Sequence, residues 1–255
     1  MGRPKRKRLG QNFLIDTDVA ERIVGLLDDE PRRALEIGPG RGALTDGLRR
    51  RFGRLVALEL DERLAADLAA RYRDEPVEVI HADALHDPLD PILASDAPWQ
   101  VASNLPYSVG TAILRRLLPR HDLFTRLVVM LQREVAQRIV AEPGDRNHGL
   151  LALERAAWAE AEIAFDVSPR AFKPRPKVMS SVVTLRLHPT EAPPDDLEQG
   201  LRLAAHALTK PRKMLSNAVR PLCDAEAVTA AGLDPELRPA MLSLNDWIRL
   251  ALIED

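Results

Sequence analysis

Cysteine, aromatic residues and long apolar runs are all scarce in this chain, and each shortage removes a class of protein. Cys223 is the one cysteine among 255 residues. That excludes an internal disulfide framework and a cysteine-rich zinc site, and it points to a reducing compartment. No apolar run approaches the roughly 20 residues a bilayer-spanning helix requires, so no membrane partner is expected. The opening residues lack the apolar stretch of a secretory signal, and Arg6 stands where a myristoylation motif needs Ser or Thr. A cytoplasmic location is the expectation. The histidines, at 81, 86, 121, 148, 188 and 206, show no metal-ligand spacing, and no metal is expected. Aromatics make up only 4% of residues; Trp99, Trp158 and Trp247 are expected as core anchors and Cys223 as a small buried hydrophobe.

Net charge is also small, −2, which excludes a globally basic nucleic-acid binder. Its distribution is uneven. Arg3, Lys5, Arg6, Lys7 and Arg8 open the chain with no acid among them, and no Asp or Glu occurs from Val167 to Thr190, where Arg170, Lys173, Arg175, Lys177 and Arg186 fall. Lys210, Arg212, Lys213 and Arg220 form a third cluster. Local basic patches on a near-neutral protein suit docking onto phosphates with salt-sensitive affinity.

With 45% apolar and 29% charged residues, the chain has ordinary globular composition and enough length for one large domain and one small one. Asp16 and Thr17 offer N-cap oxygens before a helical face of Val19, Ile23, Leu26 and Leu27. Strands are predicted at residues 33–37, 54–60, 77–81, 99–104 and 126–131, with helices at 43–52, 62–73 and 132–141, the last stopped by Pro143-Gly144. Such alternation predicts a parallel, doubly wound α/β sheet. One more strand, 182–187, precedes a proline-containing polar stretch, 189–196. Everything after it has helical period, with a stop at Ala230-Ala231-Gly232-Leu233. A large domain over 1–189 and a small all-helical one over 190–255 are expected.

The most informative local pattern is Glu36-Ile37-Gly38-Pro39-Gly40-Arg41-Gly42 at the end of the first strong strand. Open α/β sheets bind ligands beyond the carboxyl ends of their strands, and Gly38 and Gly40 allow a tight turn and close backbone approach. Glu59 ends the next strand, placed to accept from two ribose hydroxyls. Asp83 follows the third, placed to accept from an adenine amine. The Gly38-x-Gly40-x-x-Ala43 spacing with Glu59 fits a dinucleotide as well as S-adenosylmethionine. Pro39, the third glycine at 42 and Asp83 favour the latter.

Asn104-Leu105-Pro106-Tyr107 ends a further strand. An aromatic amine is a poor nucleophile because its lone pair is delocalised into the ring. Two acceptors on its two N–H groups, the side-chain oxygen of Asn104 and the carbonyl of Leu105, would return that lone pair to nitrogen. Pro106 restricts Leu105 to extended geometry, and Tyr107 offers a face on which an extruded base stacks. Together the two patterns point to methyl transfer from a sulfonium to the amine of a base.

These residues resemble the ribosomal RNA adenine dimethyltransferases that modify two adjacent adenines near the 3′ end of small-subunit rRNA, the kasugamycin-sensitivity family. The likeness also takes in Leu9-Gly10-Gln11-Asn12-Phe13-Leu14, Gln132-Arg133-Glu134-Val135-Ala136, the run Phe172-Lys173-Pro174-Arg175-Pro176-Lys177-Val178-Met179-Ser180 and Lys210-Pro211-Arg212-Lys213-Met214-Leu215-Ser216-Asn217. It implies a Rossmann-like methyltransferase sheet with a small C-terminal helical domain that docks on ribosomal RNA. S-adenosyl-L-methionine would be held by Gln11, Asn12, Leu14, Gly38, Gly40, Glu59, Asp83 and Asn104, with residues 1–15 as a basic tip and closing motif. Asn104, Leu105, Pro106 and Tyr107 would be catalytic, with Phe172 stacking on the target adenine opposite Tyr107. Arg6, Lys7, Arg8, Lys173, Arg175, Lys177, Lys210, Arg212 and Lys213 would meet RNA. The implied partner is small-subunit rRNA within a pre-formed ribosomal subunit, and a monomer is expected.

His148, Leu208 and Pro211 depart from the family's usual Tyr, Phe and Arg at RNA-docking positions. Macrolide-resistance methylases of large-subunit rRNA share the opening motif, the glycine loop and Asn-x-Pro-Tyr, but differ around the second aromatic. Transcription factors on the same fold are a binding-protein alternative, disfavoured because the cofactor and amine-holding positions are filled by competent residues.

Overall fold

The computed structural model describes residues 12–253. Its chain order is β1 (Phe13–Leu14), α1 (Thr17–Gly25), β2 (Arg33–Ile37), α2 (Thr45–Arg51), β3 (Arg54–Glu59), α3 (Glu62–Arg71), β4 (Val77–His81), α4 (Asp90–Leu93), β5 (Trp99–Asn104), α5 (Gly110–Leu117) and β6 (Phe124–Gln132). There follow α6 (Arg133–Ile139), α7 (Leu150–Ala156), β7 (Ala159–Val167), β8 (Phe172–Lys173), β9 (Ser180–Leu187), α8 (Pro194–Leu208), α9 (Leu215–Ala218), α10 (Ala225–Ala230) and α11 (Leu244–Ala251). Among the described residues no helix is long and apolar enough to cross a membrane.

Seven strands form one sheet in the order β4-β3-β2-β5-β6-β9-β7. The pairs from β4 to β6 are parallel, as the alternation of strands and helices predicts. The sheet is nevertheless mixed, because β9 runs antiparallel to β6, with Gln132 opposite Ser180 and Arg126 opposite Arg186. The crossover helices α6 and α7 follow β6, whereas β9 returns beside β7 with no α-helix between Val167 and Ser180, and a parallel return would need such a crossover. Periodicity alone does not reveal this, since β9 is buried at every position but Arg186 and reads like a strand covered on both faces.

Local rules explain the element starts that position the site. Asp61 caps α3 by accepting from the backbone of Arg63 and Leu64, and Asp16 caps α1 by accepting from Val19. On α1 and just after it, Ile23 and Leu27 are buried, while Val19 and Leu26 pack at the margin of the cluster that holds Leu48, Phe52 and Leu55. Trp99 is fully buried and donates its indole N–H to the carbonyl of Leu93 at 2.9 Å, so its burial leaves no polar atom unpaired.

The chain divides into two compact units, Met1–Ala136 with Glu162–Leu187, and Gln137–Ala161 with His188–Asp255. The second thus takes in an inner segment that a cut near residue 190 leaves with the first. Leu153 of α7 explains this: it is buried in one cluster with Leu203, Leu215, Trp247 and Leu250. Within this unit Gly200 lets α8 approach α11, since a Cβ there would lie 3.0 Å from the Ile248 backbone. Ser243 and Asp246 form a capping box on α11.

Candidate active site

A cavity of about 350 Å³ opens at the carboxyl ends of β2, β3, β4 and β5, and residues of the first unit line all of it. The glycine loop forms its floor. Gly38, Gly40 and Gly42 have φ of 66°, 60° and 84°, a region L side chains rarely enter. A Cβ on Gly40 would lie 3.0 Å from the Phe13 ring. The Arg41 guanidinium covers that ring at 4.7 Å, and the ring also lines the cavity.

Glu59, only 2% exposed, is clamped at the end of β3: one oxygen accepts from Gly40 N–H and the other from Asp61 N–H, each at 2.9 Å. A carboxylate oxygen has two acceptor sites, so each can still take a hydroxyl. Asp83 is held more loosely, by Leu85 N–H at 2.8 Å and the His86 ring at 2.9 Å. The His86 contact, followed by that from Leu85, pulls the Asp83 carboxyl below its usual range. Leu60 and Leu85 line the cavity as well and add apolar surface to it. The sequence signal for these walls was adjacency alone, Leu60 directly after Glu59 and Leu85 two residues after Asp83.

Glu36 also faces this cavity, and its role was not apparent in the sequence. It is 2% exposed and accepts from the Thr45 hydroxyl at 2.6 Å. Burial, reinforced by the nearby Glu59 charge and opposed by the Thr45 bond, pushes its carboxyl up to about 8. One buried acid is thus largely neutral at pH 7 while its neighbour is placed to receive hydroxyls.

The Asn104–Tyr107 turn enters the same cavity from β5. The Nδ2 of Asn104 donates to the backbone carbonyl of Asn12 at 3.2 Å. A carbonyl can only accept, so this contact fixes the amide's sense and frees its oxygen for another donor. Leu105 N–H donates to Met130 O at 3.2 Å, and the Pro106 carbonyl accepts from Val109 and Gly110 at 3.1 and 2.7 Å. The Leu105 carbonyl is left without a described donor. Gly110 permits this turn, since a Cβ there would lie 2.9 Å from the Leu131 side chain. Tyr107 lines the cavity half-buried, its phenol raised above its ordinary pKa by burial.

Asn12, Leu14, Gly38, Gly40, Glu59, Asp83 and the Asn104–Tyr107 turn therefore lie around one space. Phe172 does not. It is 3% exposed and belongs to the apolar cluster with Leu14, Ala171 and Val182, where β8 pairs with β1 through Leu14 opposite Phe172 and Phe13 opposite Lys173. The expected sandwich with Tyr107 is not assembled, because the ring is drawn into that cluster by the hydrophobic effect and its backbone is tied to β1. Lys173, Arg175 and Lys177 are exposed beside it, as are Arg212 and Lys213 in the second unit. Lys210 differs: its ammonium donates to the carbonyls of Ala218 and Arg220 at 3.3 and 3.0 Å, closing the end of α9. Arg6, Lys7, Arg8 and Gln11 lie outside the described residues.

The donor set fits S-adenosylmethionine. Gly38 and Gly40 at positive φ, the clamped Glu59 at the end of β3 and Asp83 after β4 line one space together with Leu60 and Leu85.

Comparison with known proteins agrees. The ribosomal RNA adenine dimethylase family matches residues 2–254. The chain is 40% identical to ribosomal RNA small subunit methyltransferase A of Geobacter metallireducens, over 96% of this chain and 94% of that one. It is 39% identical to the protein of the same name from Pseudomonas aeruginosa, over 96% and 93%. Among solved structures, the 23S rRNA methyltransferase ErmE superimposes with a TM-score of 0.73 at 25% identity, covering 95% of this chain and 99% of that one. A dimethyladenosine transferase from Plasmodium falciparum shares the fold, with a TM-score of 0.74 at 23% identity over 93% and 95%. Matched across nearly its whole length, with the glycine cradle and the Asn104–Tyr107 turn on one cavity, the chain belongs to the ribosomal RNA adenine dimethylases.

Proposed function

We propose that this enzyme transfers methyl groups from S-adenosylmethionine to the exocyclic amines of two adjacent adenines near the 3′ end of small-subunit rRNA, giving N6,N6-dimethyladenosine. It acts on a pre-formed small subunit, as a monomer in the cytoplasm. One observation carries the reading: the amide of Asn104 opens on the cavity bounded by Gly40, Glu59 and Asp83.

When bound, S-adenosylmethionine supplies a methyl group on a sulfonium, an electrophile whose leaving group departs neutral. The protein's part is alignment. Glu59 takes the ribose hydroxyls, and Asp83 takes the adenine amine between Leu60 and Leu85. Asn12 and Leu14 close the cavity, and Gln11 belongs with them by sequence. At the other end the Asn104 oxygen and the Leu105 carbonyl accept from the target amine and localise its lone pair. Tyr107 offers the stacking face. No strong base is needed, because the amine proton becomes acidic as the nitrogen gains charge. Phe172 joins the base only by leaving its cluster, so its share of the stacking is coupled to β1. Lys173, Arg175, Lys177, Arg212 and Lys213 are the proposed phosphate contacts, with the helical C-terminal part as the ribosome-docking domain.

Small-subunit RNA is favoured over large-subunit RNA because relatives bearing the small-subunit name are 40% identical, against 25% for the 23S methyltransferase. The test is transfer of labelled methyl to purified small subunits lacking the modification, with large-subunit RNA in parallel. Dimethyladenosine in the small subunit alone is expected. Label in large-subunit RNA alone would overturn the proposal.

A further inference from the structure

The phenol oxygen of Tyr107 lies 2.5 Å from the Ser180 hydroxyl. Ser180 is fully buried and opens β9, opposite Gln132 at the end of β6. Just before it, the Met179 carbonyl accepts from Arg133 N–H at 3.0 Å. Its backbone is therefore held on both sides, and its hydroxyl is directed at the half-buried, cavity-lining tyrosine. Tyr107, in contrast, sits in a turn whose neighbours Pro106 and Ser108 are exposed. Nothing in the turn's backbone hydrogen bonds, which run to the carbonyl of Pro106, fixes the plane of the Tyr107 ring.

A ring used as a stacking platform must present one face in one plane, or the incoming base pays to freeze it. A bond from its far end to a rigid strand meets that cost in advance. It also gives the fully buried Ser180 hydroxyl a partner. We infer that Ser180 is a positioning residue: through its hydroxyl it fixes the ring of Tyr107 and so sets the face on which the target adenine stacks. The inference rests on the reading that Tyr107 stacks on the base.

The test is single-turnover methyl transfer to unmethylated small subunits, with subunit affinity, S-adenosylhomocysteine affinity and thermal midpoint measured on the same proteins. Ser180→Ala and Tyr107→Phe each remove one partner of the bond and keep the ring. Each should slow transfer about tenfold, the worth of one hydrogen bond that orients a reacting group. Both affinities should stay within about twofold of the unaltered enzyme, well below the one-bond effect. The double variant should be no slower than either single, and Ser180→Thr, which keeps a hydroxyl on a strand, should restore the rate. A merely structural serine would lower the midpoint without non-additivity or rescue. Independent, multiplying effects in the double variant would overturn the inference. So would unaltered rates in Ser180→Ala and Tyr107→Phe while Tyr107→Leu, which removes the ring, is slow. If Tyr107→Leu itself transfers normally, the stacking reading fails first and takes the inference with it.

Discussion

Replacing Glu36 by glutamine should leave the free enzyme's stability nearly unchanged at pH 5 and raise it at pH 8. The carboxyl is 2% exposed, and burial lifts it from an ordinary 4.5 to about 8. Between those two values the unfolded chain has lost the proton and the folded chain keeps it, so unfolding releases a proton and stability falls as pH rises. Stability from this group is present below 4.5, is lost progressively up to about 8, and changes no further above it. Each pH unit in that window costs about 1.4 kcal/mol. Crossing most of the window costs roughly 4 kcal/mol, an upper value because relaxation and water entry soften a buried charge. Glutamine has no proton to lose, and its amide oxygen can keep the 2.6 Å bond from Thr45. The assay is urea unfolding of both proteins without cofactor at pH 5, 6, 7 and 8, comparing free energies at each pH. Other titrating groups cancel in the difference, which should grow with pH in favour of the variant. Parallel pH profiles, or a variant weaker at pH 8 than at pH 5 relative to the parent, would refute a buried neutral Glu36.

Glu59→Ala removes both carboxylate oxygens and orphans the N–H groups of Gly40 and Asp61. Affinity for S-adenosylhomocysteine by calorimetry should fall about 100-fold, and an unchanged value would reject the ribose role. Phe172→Ala leaves a hole in the cluster with Leu14 and Val182, so unfolding free energy should drop about 3–5 kcal/mol; a drop under about 1 kcal/mol would mean the ring is not seated there. Exchanging the exposed Lys173, Arg175 and Lys177 for glutamine should flatten the salt dependence of subunit binding. If those three meet phosphates, parent affinity should fall roughly 30-fold more than the variant's between 50 and 200 mM salt. Equal slopes would remove them from the docking surface.

The parallel half of the fold was legible because its signals are local. The runs at 33–37, 77–81 and 99–104 are strands with those bounds, and Gly38, Asp83 and Asn104 line the cavity at or within two residues of their ends. β7 escaped notice although Ala159-Glu160-Ala161-Glu162-Ile163-Ala164-Phe165-Asp166-Val167 alternates apolar and polar residues at every position but Ala164. Its alanines blur the apolar face, and its burial follows the two-residue period only in the folded sheet. The pairing of β1 with β8 joins residues some 160 positions apart, and two-residue strands leave no periodic trace. That pairing decides where Phe172 resides, so the aromatic sandwich was the part of the site that sequence could least place.

The acids at 59 and 83 were readable from their strand-end positions, whereas what holds each of them was not. The bond from Asn104 to the Asn12 carbonyl and the bond from Tyr107 to Ser180 cross 92 and 73 positions. A motif names the group that does the chemistry. The group that aims it comes from elsewhere in the chain and is chosen by sheet order.

In the proposed mechanism one cavity holds both the methyl donor and the group that prepares the amine. This is tested most directly by Asn104→Ala, measured for S-adenosylhomocysteine binding and for dimethyladenosine formation on unmethylated small subunits. If the Asn104 oxygen accepts from the amine as proposed, turnover should fall roughly 10³-fold while cofactor affinity changes by no more than about tenfold. Near-parental turnover would contradict the account, because the amine would then need no help from this turn.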